Sequence, residues 1–500
     1  MIFSSPEFIL IFLPISFFGY FLLNHYRMVP AAKIWLVAMS FFFYGYWNIA
    51  YLPLLIGSIL FNFGVGTVLA TDPSMAHKGI STLQPKLSRT TLLTFGIAAN
   101  LGLLGYYKYA NFFLDNLSTA FALNVQLQNI ILPLGVSFFT FTQIAYLVDS
   151  YQGKVKEYNL TNYMLFVTFF PHLIAGPILH HKEMMSQFES KWTLAIRYRH
   201  LFAGFFIFSI GFFKKVVIAD TFAVWANLGF DSNSNLDFFS AWATSLSYTF
   251  QLYFDFSGYC DMAIGSALLF NIWLPLNFNS PYKALDIQDF WHRWHMTLSR
   301  YLKDYLYIPL GGNRRSTGRV YVNLFVTFVL GGLWHGASWM FVIWGSLHGF
   351  ALIIHRIWRK MGGRLPNWLA WLVTFLFINT TWIFFRAESM TDALRVLTGM
   401  LDLHSILHFP VNIIPTERLA WGGILIDKLT FLLPSGIAAN LPSYVAITIA
   451  FIIISQMNSQ EFMRMPSRRT AKLIACSLLF SAAFYVMMIS TSTVFLYFNF

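Results

Sequence analysis

Long apolar runs separated by short polar stretches dominate the chain. Residues 8–23, 32–47, 52–70, 92–107, 163–178, 201–213 and 238–254 read as membrane spans, followed by 262–274, 321–332, 339–354, 369–385, 444–455 and 473–488. A spanning helix needs about 20 mostly apolar residues. Several of these runs are too short to cross alone, and others carry Gly or Pro. Broken backbone at membrane depth is tolerated only where protein or a water-filled cavity surrounds it. The pattern therefore predicts an all-α, polytopic membrane protein with roughly 11 to 13 membrane helices, some of them re-entrant. No internal repeat, heptad or low-complexity tract divides the chain, so residues 1–500 read as a single multi-pass domain. A softer segment, 401–442, mixes apolar and polar residues and reads as a surface helix and loop near the last spans.

The first run lacks a basic leading region and a small-residue cleavage site, and reads as a retained span rather than a cleaved signal peptide. Orientation follows from four short basic loops. They hold Arg27 and Lys33; Lys78, Lys86 and Arg89; Arg356, Arg359, Lys360 and Arg364; and Arg464, Arg468, Arg469 and Lys472. The positive-inside rule puts all four in the cytoplasm and the N-terminus outside.

Composition supports this pattern. Hydrophobic residues make up 57% and charged residues 11% of the chain, against about 25% charged in soluble domains. Aromatics reach 19%, with 55 Phe, a load that would aggregate on a water-facing surface. A net charge of +12 in a soluble protein would suggest nucleic acid. Here it sits in loops between spans and forms no stripe along which a phosphate backbone could run, so no nucleic-acid partner is expected. Cys260 and Cys476 are too few and too isolated for a disulfide framework or a metal cluster.

One stretch, 251–348, breaks the apolar pattern. In DIQDFWHRWHMTLSRYLKDYLYIPL, bulky aromatics interleave with charges, which suits a segment folded back into the protein body better than a solvated loop. From residue 320 to 355 there is no Asp, Glu, Lys or Arg, yet His335 (in GGLWHGAS) and His348 lie inside that run. An ionisable group within a membrane span is a functional candidate. Gly331, Gly332 and Gly336 leave room around His335 for another backbone or a substrate. The local pattern alone also allows a core histidine satisfied by a carbonyl, and for His348 that plainer reading is preferred. His292 and His295, three apart on an expected helix, make a weak metal pair with no carboxylate or Cys beside them, and no metal is expected. GxSxG, Walker A, GxGxxG and HExxH motifs are absent. A histidine without a nucleophile motif points to general-base chemistry.

Seven segments then carry a resemblance. In order they are ILPLGVSFFTFTQIAYLVDSYQG (131–153), FFPHLIAGPI (169–178), GFFKKVVIAD (211–220), QLYFDFSGYCDMAIGSALLFNIWLPLNFNSPY (251–282), DFWHRWHMTLSRYLKDYLYIPLGGNR (289–314), LGGLWHGASWMFVIWGSLHG (330–349) and TTWIFFRAES (380–389). Together they resemble the membrane-bound O-acyltransferases, specifically the bacterial alginate O-acetyltransferase-like branch. The resemblance implies a core over about 131–390 with further spans after it, in a ring of helices around a thin centre crossed by a tunnel. It implies that His335 is the catalytic base and that His295 lines the same tunnel. It also implies that acetyl-CoA or another acyl thioester serves as donor substrate, with no permanently bound cofactor. In this branch the acetyl group passes to a separate extracytoplasmic transferase and its polysaccharide, from a protein in the bacterial cytoplasmic membrane.

The expected chemistry is deprotonation of a hydroxyl by His335, attack on the thioester and departure of a thiolate. Trp334, Asn323, Ser338 and Trp294 are candidates to line the tunnel, the first three also to donate to the oxyanion. Basic residues at 293–319 either attract a phosphate-rich donor or pair with Asp286, Asp289 and Asp304. Peptidoglycan O-acetylation and D-alanyl transfer to teichoic acid are alternative reactions. A proton-coupled transporter is the non-enzymatic alternative, but it predicts inverted repeats or mid-span acids that are not evident.

Overall fold

Without water to pair with, backbone in hydrocarbon satisfies itself locally as helix, and every element found among the described residues is helical. The structure is a computed structural model that describes residues 1–71, 88–122, 130–407, 435–464 and 469–490. Lys78, Lys86, Arg468 and most of the soft segment 401–442 lie outside the described residues. Among the described residues, six helices are long and apolar enough to cross a membrane: Glu7–His25, Ile49–Ala70, Tyr198–Phe230, Trp339–Lys360, Asn367–Arg386 and Thr470–Ile489. Val29–Gly45 and Asn440–Ser455 are apolar but shorter. The other expected spans are polar, short or broken.

The elements used below are α1 (Leu13–His25), α2 (Val29–Gly45), α3 (Leu52–Ala70), α4 (Arg89–Leu104), α5 (Ala110–Phe121), α6 (Val136–Tyr151) and α7 (Leu160–Thr168). They continue with α8 (Tyr198–Phe213), α9 (Asp220–Phe230), α10 (Phe238–Leu269), α11 (Ile287–Arg293) and α12 (Met296–Leu302). The last are α13 (Thr317–His335), α14 (Trp339–Lys360), α15 (Asn367–Arg386), α16 (Met390–Met400), α17 (Ser435–Ser455), α18 (Ser459–Arg464) and α19 (Arg469–Ile489).

Three readings of the spans change. Runs 238–254 and most of 262–274 are one 32-residue helix, α10, which ends at Leu269. Its polar middle (Gln251, Asp255, Ser257, Asp261) is buried against protein, so hydropathy misread protein-facing polarity as a break. The run 201–213 continues through a π turn, Lys214–Ala219, into α9. The run 163–178 stops after Thr168, where Phe169 leaves helical space (φ −48°, ψ 109°) just before Pro171. Helix α6 had not been read as a span. Buried Ser137, Thr140, Thr142 and Gln143 lower its hydropathy, although protein covers nearly all of it.

Helix α10 is the central strut. Gly204 and Gly211 of α8 face Gly265 and Gly258 of α10, and a Cβ at any of the four would meet the partner's backbone. Small residues in this register let two membrane helices approach to backbone contact. The same interface carries charge. Lys214 pairs with Asp261 at 2.7 Å, and Lys215 bridges Asp220 at 2.6 Å and Asp255 at 2.8 Å. Charges at such depth persist only when paired. From the C-terminal spans, Ser459 donates to Asp261 (2.9 Å) and Asn458 to Asn279 Oδ1 (2.9 Å).

Helix ends beside the first basic loops gather together. Lys33 donates to Asn162 Oδ1 (2.9 Å) and Tyr158 to the Ala70 carbonyl (3.3 Å). Arg89 donates to the carbonyls of Leu69 (2.8 Å) and Tyr151 (3.0 Å).

Candidate active site

His335 is the last residue of α13, before Gly336 turns the chain into extended geometry. The final carbonyls of a helix lack intrahelical partners. Here they are capped from the junction of α4 and α5. Tyr109 Oη donates to the Leu333 carbonyl at 2.6 Å, and Lys108 Nζ donates to the carbonyls of Trp334 and His335. A cation at a helix C-terminus also complements the dipole. The room left by the glycines is taken by protein. A Cβ at Gly332 would strike the Phe341 carbonyl, and one at Gly336 would strike the Phe341 ring. Helices α13 and α14 therefore pack backbone to backbone, which fixes the His335 ring against Trp344 (5.2 Å, 87°) and Phe385 (5.2 Å, 70°).

The segment that carries His295 is folded back into the body. His292 and His295 do not share a helix: α11 ends at Arg293, and His295 sits at φ 43°, ψ 52° before α12. His292 is exposed while His295 is fully buried, which separates the two rings that a metal pair would need together. Left-handed backbone at a non-glycine residue costs on the order of 1 kcal/mol or more and persists only where surroundings impose it. Asn277 imposes it here. Its carbonyl accepts from Met296 N (3.0 Å), and its Oδ1 accepts from Thr297 N (3.2 Å) and Thr297 Oγ1 (2.9 Å).

Asn277 also sets the protonation of the ring. A backbone N–H can only donate, so the Asn277 atom facing Thr297 N is the oxygen. The same oxygen lies 3.1 Å from His295 Nδ1. Nδ1 must therefore carry the hydrogen, and neutral His295 keeps its lone pair on Nε2. By the same logic the indole N–H of Trp291, 3.2 Å from His348 Nδ1, makes that nitrogen an acceptor. His348 thus ties α11 to α14 through its Nδ1, with an indole N–H in place of the backbone carbonyl of the plainer reading, while its Nε2 is buried without a hydrogen-bond partner among the described residues.

The structure brings His295 and His335 together, with ring centroids 6.4 Å apart. Trp334 lies beside both, 6.3 Å from His295 and 5.0 Å from His335, and stacks on Phe141 (5.1 Å, 23°). Trp294 is in the aromatic wall behind, against Phe290 and Trp382. Ser338 caps α14 by accepting from Met340 N (3.2 Å). Asn323 is not brought to the imidazoles. It lies about 18 Å earlier along the α13 axis, where it donates to the Gly312 carbonyl (3.4 Å). Of the basic residues nearby, Arg293 pairs with Asp289 (2.8 Å) and Arg300 with Glu183 (2.8 Å).

Sequence reasoning missed Asn277, Lys108 and Tyr109. Lys108 carried a signal, a cation at the edge of an apolar run. Asn277 carried none, because a loop asparagine has no pattern of its own. The assembled site holds two buried imidazoles side by side, walled by aromatic rings.

Residues 101–390 match the model of the membrane-bound O-acyltransferase family. The chain is 46% identical to a peptidoglycan O-acetyltransferase of Helicobacter pylori, over 100% of this chain and 98% of that protein. It is 41% identical to a probable alginate O-acetylase of Pseudomonas aeruginosa, over 80% of this chain and 75% of that one. A teichoic acid D-alanyltransferase of Bacillus subtilis is 28% identical over 50% of this chain and 67% of its own length.

Proposed function

The chain belongs to the membrane-bound O-acyltransferase family and is a multi-pass membrane acyltransferase; from that premise we propose that it moves acetyl groups outward for O-acetylation of a cell-wall polysaccharide of the peptidoglycan kind. The donor in this reading is a cytoplasmic thioester, acetyl-CoA, and the protein sits in the bacterial cytoplasmic membrane. A separate extracytoplasmic transferase receives the group and completes the modification. The observation that carries peptidoglycan over alginate is the extent of the likeness: 46% identity through the whole chain, against 41% over 80% of it.

In the reaction, an imidazole takes the proton of the acceptor hydroxyl as its oxygen attacks the thioester carbonyl. The C–O bond forms, the C–S bond breaks, and the proton passes from the imidazole to the leaving thiolate. His335 fills the base role on the strength of its motif. His295, 6.4 Å away with its Nε2 lone pair defined by Asn277, is the second group able to hold that proton. The developing oxyanion needs a donor. Trp334 Nε1 is buried and has no hydrogen-bond partner among the described residues, which favours it for that task over Asn323, whose amide already donates to the Gly312 carbonyl far down α13.

Deleting the gene and measuring alkali-released acetate from purified peptidoglycan tests the reading. Loss of wall acetate, restored by the wild-type chain, supports it. Unchanged wall acetate, with acetyl lost from another exported polymer, overturns the choice of substrate.

A further inference from the structure

Between α14 and α15, at the end that carries the basic loop joining them, lies a groove of about 750 Å³. Its long walls are apolar: Leu347, Phe350 and Ile354 from α14, Val373 and Phe377 from α15. Phe350 and Ile354 are 53% and 65% exposed, so protein does not fill the groove. Both helices are candidate spans, and the groove therefore opens on the bilayer rather than on water.

Its mouth has the opposite character. Arg359 and Arg364 line it, and neither guanidinium has a hydrogen bond or ion pair with any described residue. The neighbouring carboxylate, Asp286, is turned to His355 at 3.7 Å. Two unengaged guanidiniums above an apolar slot match a phosphodiester above an acyl chain, because a guanidinium fork binds phosphate oxygens in pairs. A zwitterionic headgroup would bring its own cation against the arginines.

We propose that this groove is a binding site for one anionic phospholipid, its phosphate held by Arg359 and Arg364 and an acyl chain lying between α14 and α15. The site is outside the acyl-transfer centre but mechanically joined to it. Phe377 on its wall meets the His348 ring edge-on (5.5 Å, 80°), and Asp286 and Ile287 at its rim begin α11, the helix that leads to His295. An occupied groove would press on the start of α11 and on the wall residue Phe377 that packs against His348.

The test uses full-length protein, delipidated in neutral detergent, with phosphatidylglycerol, phosphatidylcholine of matched chains, or glycerol phosphate added. Native mass spectrometry reads retained lipid and thermal unfolding reads stability. Phosphatidylglycerol is expected as one retained adduct that raises Tm, well above phosphatidylcholine. R359Q/R364Q should weaken it roughly 30-fold, about fivefold for each arginine. Ala351→Trp, which fills the slot and leaves both arginines, should also release it. Equal retention of the two lipids by the wild-type protein overturns the proposal, as does undiminished phosphatidylglycerol binding by R359Q/R364Q. Equal stabilisation by glycerol phosphate removes the acyl-chain half of the site and overturns it too. The wild-type comparison decides the matter even where a variant fails to fold.

Discussion

Lys108 and Tyr109 hold the end of α13 through its carbonyls, not through the His335 side chain. The His335 ring can therefore be removed without releasing the helix. His335→Ala should lower acyl transfer by roughly 10²–10⁴-fold, the usual worth of a general base, with near-normal yield of monodisperse protein. Near-wild-type transfer by a folded His335→Ala protein would remove the base assignment. Asn277 acts one step back, as a positioning residue. Asn277→Ala leaves Thr297 N without its acceptor and lets the His295 ring change tautomer, so turnover should fall by roughly 10–100-fold, as for other outer-shell partners. Asn277→Asp keeps an acceptor for both groups and should recover much of that loss. The measurement is kcat at saturating donor for the two variants in proteoliposomes. If the Asp variant is no better than the Ala variant, the tautomer argument is wrong.

At the level of elements, the site depends on how closely helices approach. Gly258 of α10 lies against the Gly211 carbonyl and Lys215 N, so no side chain fits without parting α8 from α10. Gly258→Leu should destabilise the protein by about 1–3 kcal/mol, the range for overpacking, read as a lower unfolding temperature in detergent. The same helix presents Phe256 to His295 (4.8 Å) and Cys260 to Asn277 (3.3 Å). Transfer should therefore fall together with stability, whereas Ala substituted for exposed Leu394 should change neither. An unaltered unfolding temperature in Gly258→Leu would show that the glycine contact is not limiting.

Across the whole molecule, the helix ends carrying Lys33, Arg89 and Asn162 lie together at one end. Charge bias places that end in the cytoplasm. Cysteines introduced at positions 78 and 468 should resist an impermeant thiol reagent in intact cells and react after permeabilisation. Efficient labelling from outside would invert the topology and, with it, the side from which the donor enters.

The membrane class, the apolar spans and the two histidine motifs were legible in the sequence, because burying apolar residues and satisfying backbone in lipid are local demands that leave a local pattern. The tertiary structure decided the rest. It joined two expected spans into α10, because polar residues facing protein look the same to hydropathy as polar residues facing water. It placed His295 6.4 Å from His335 across 40 residues of chain, put His292 and His295 on opposite sides of a helix break by turning His295 itself into left-handed backbone, and left Asn323 far down α13. It also produced Asn277 as the group that fixes a ring nitrogen. None of these distances has a sequence period, because each is set by how one helix packs against another rather than by how either one forms.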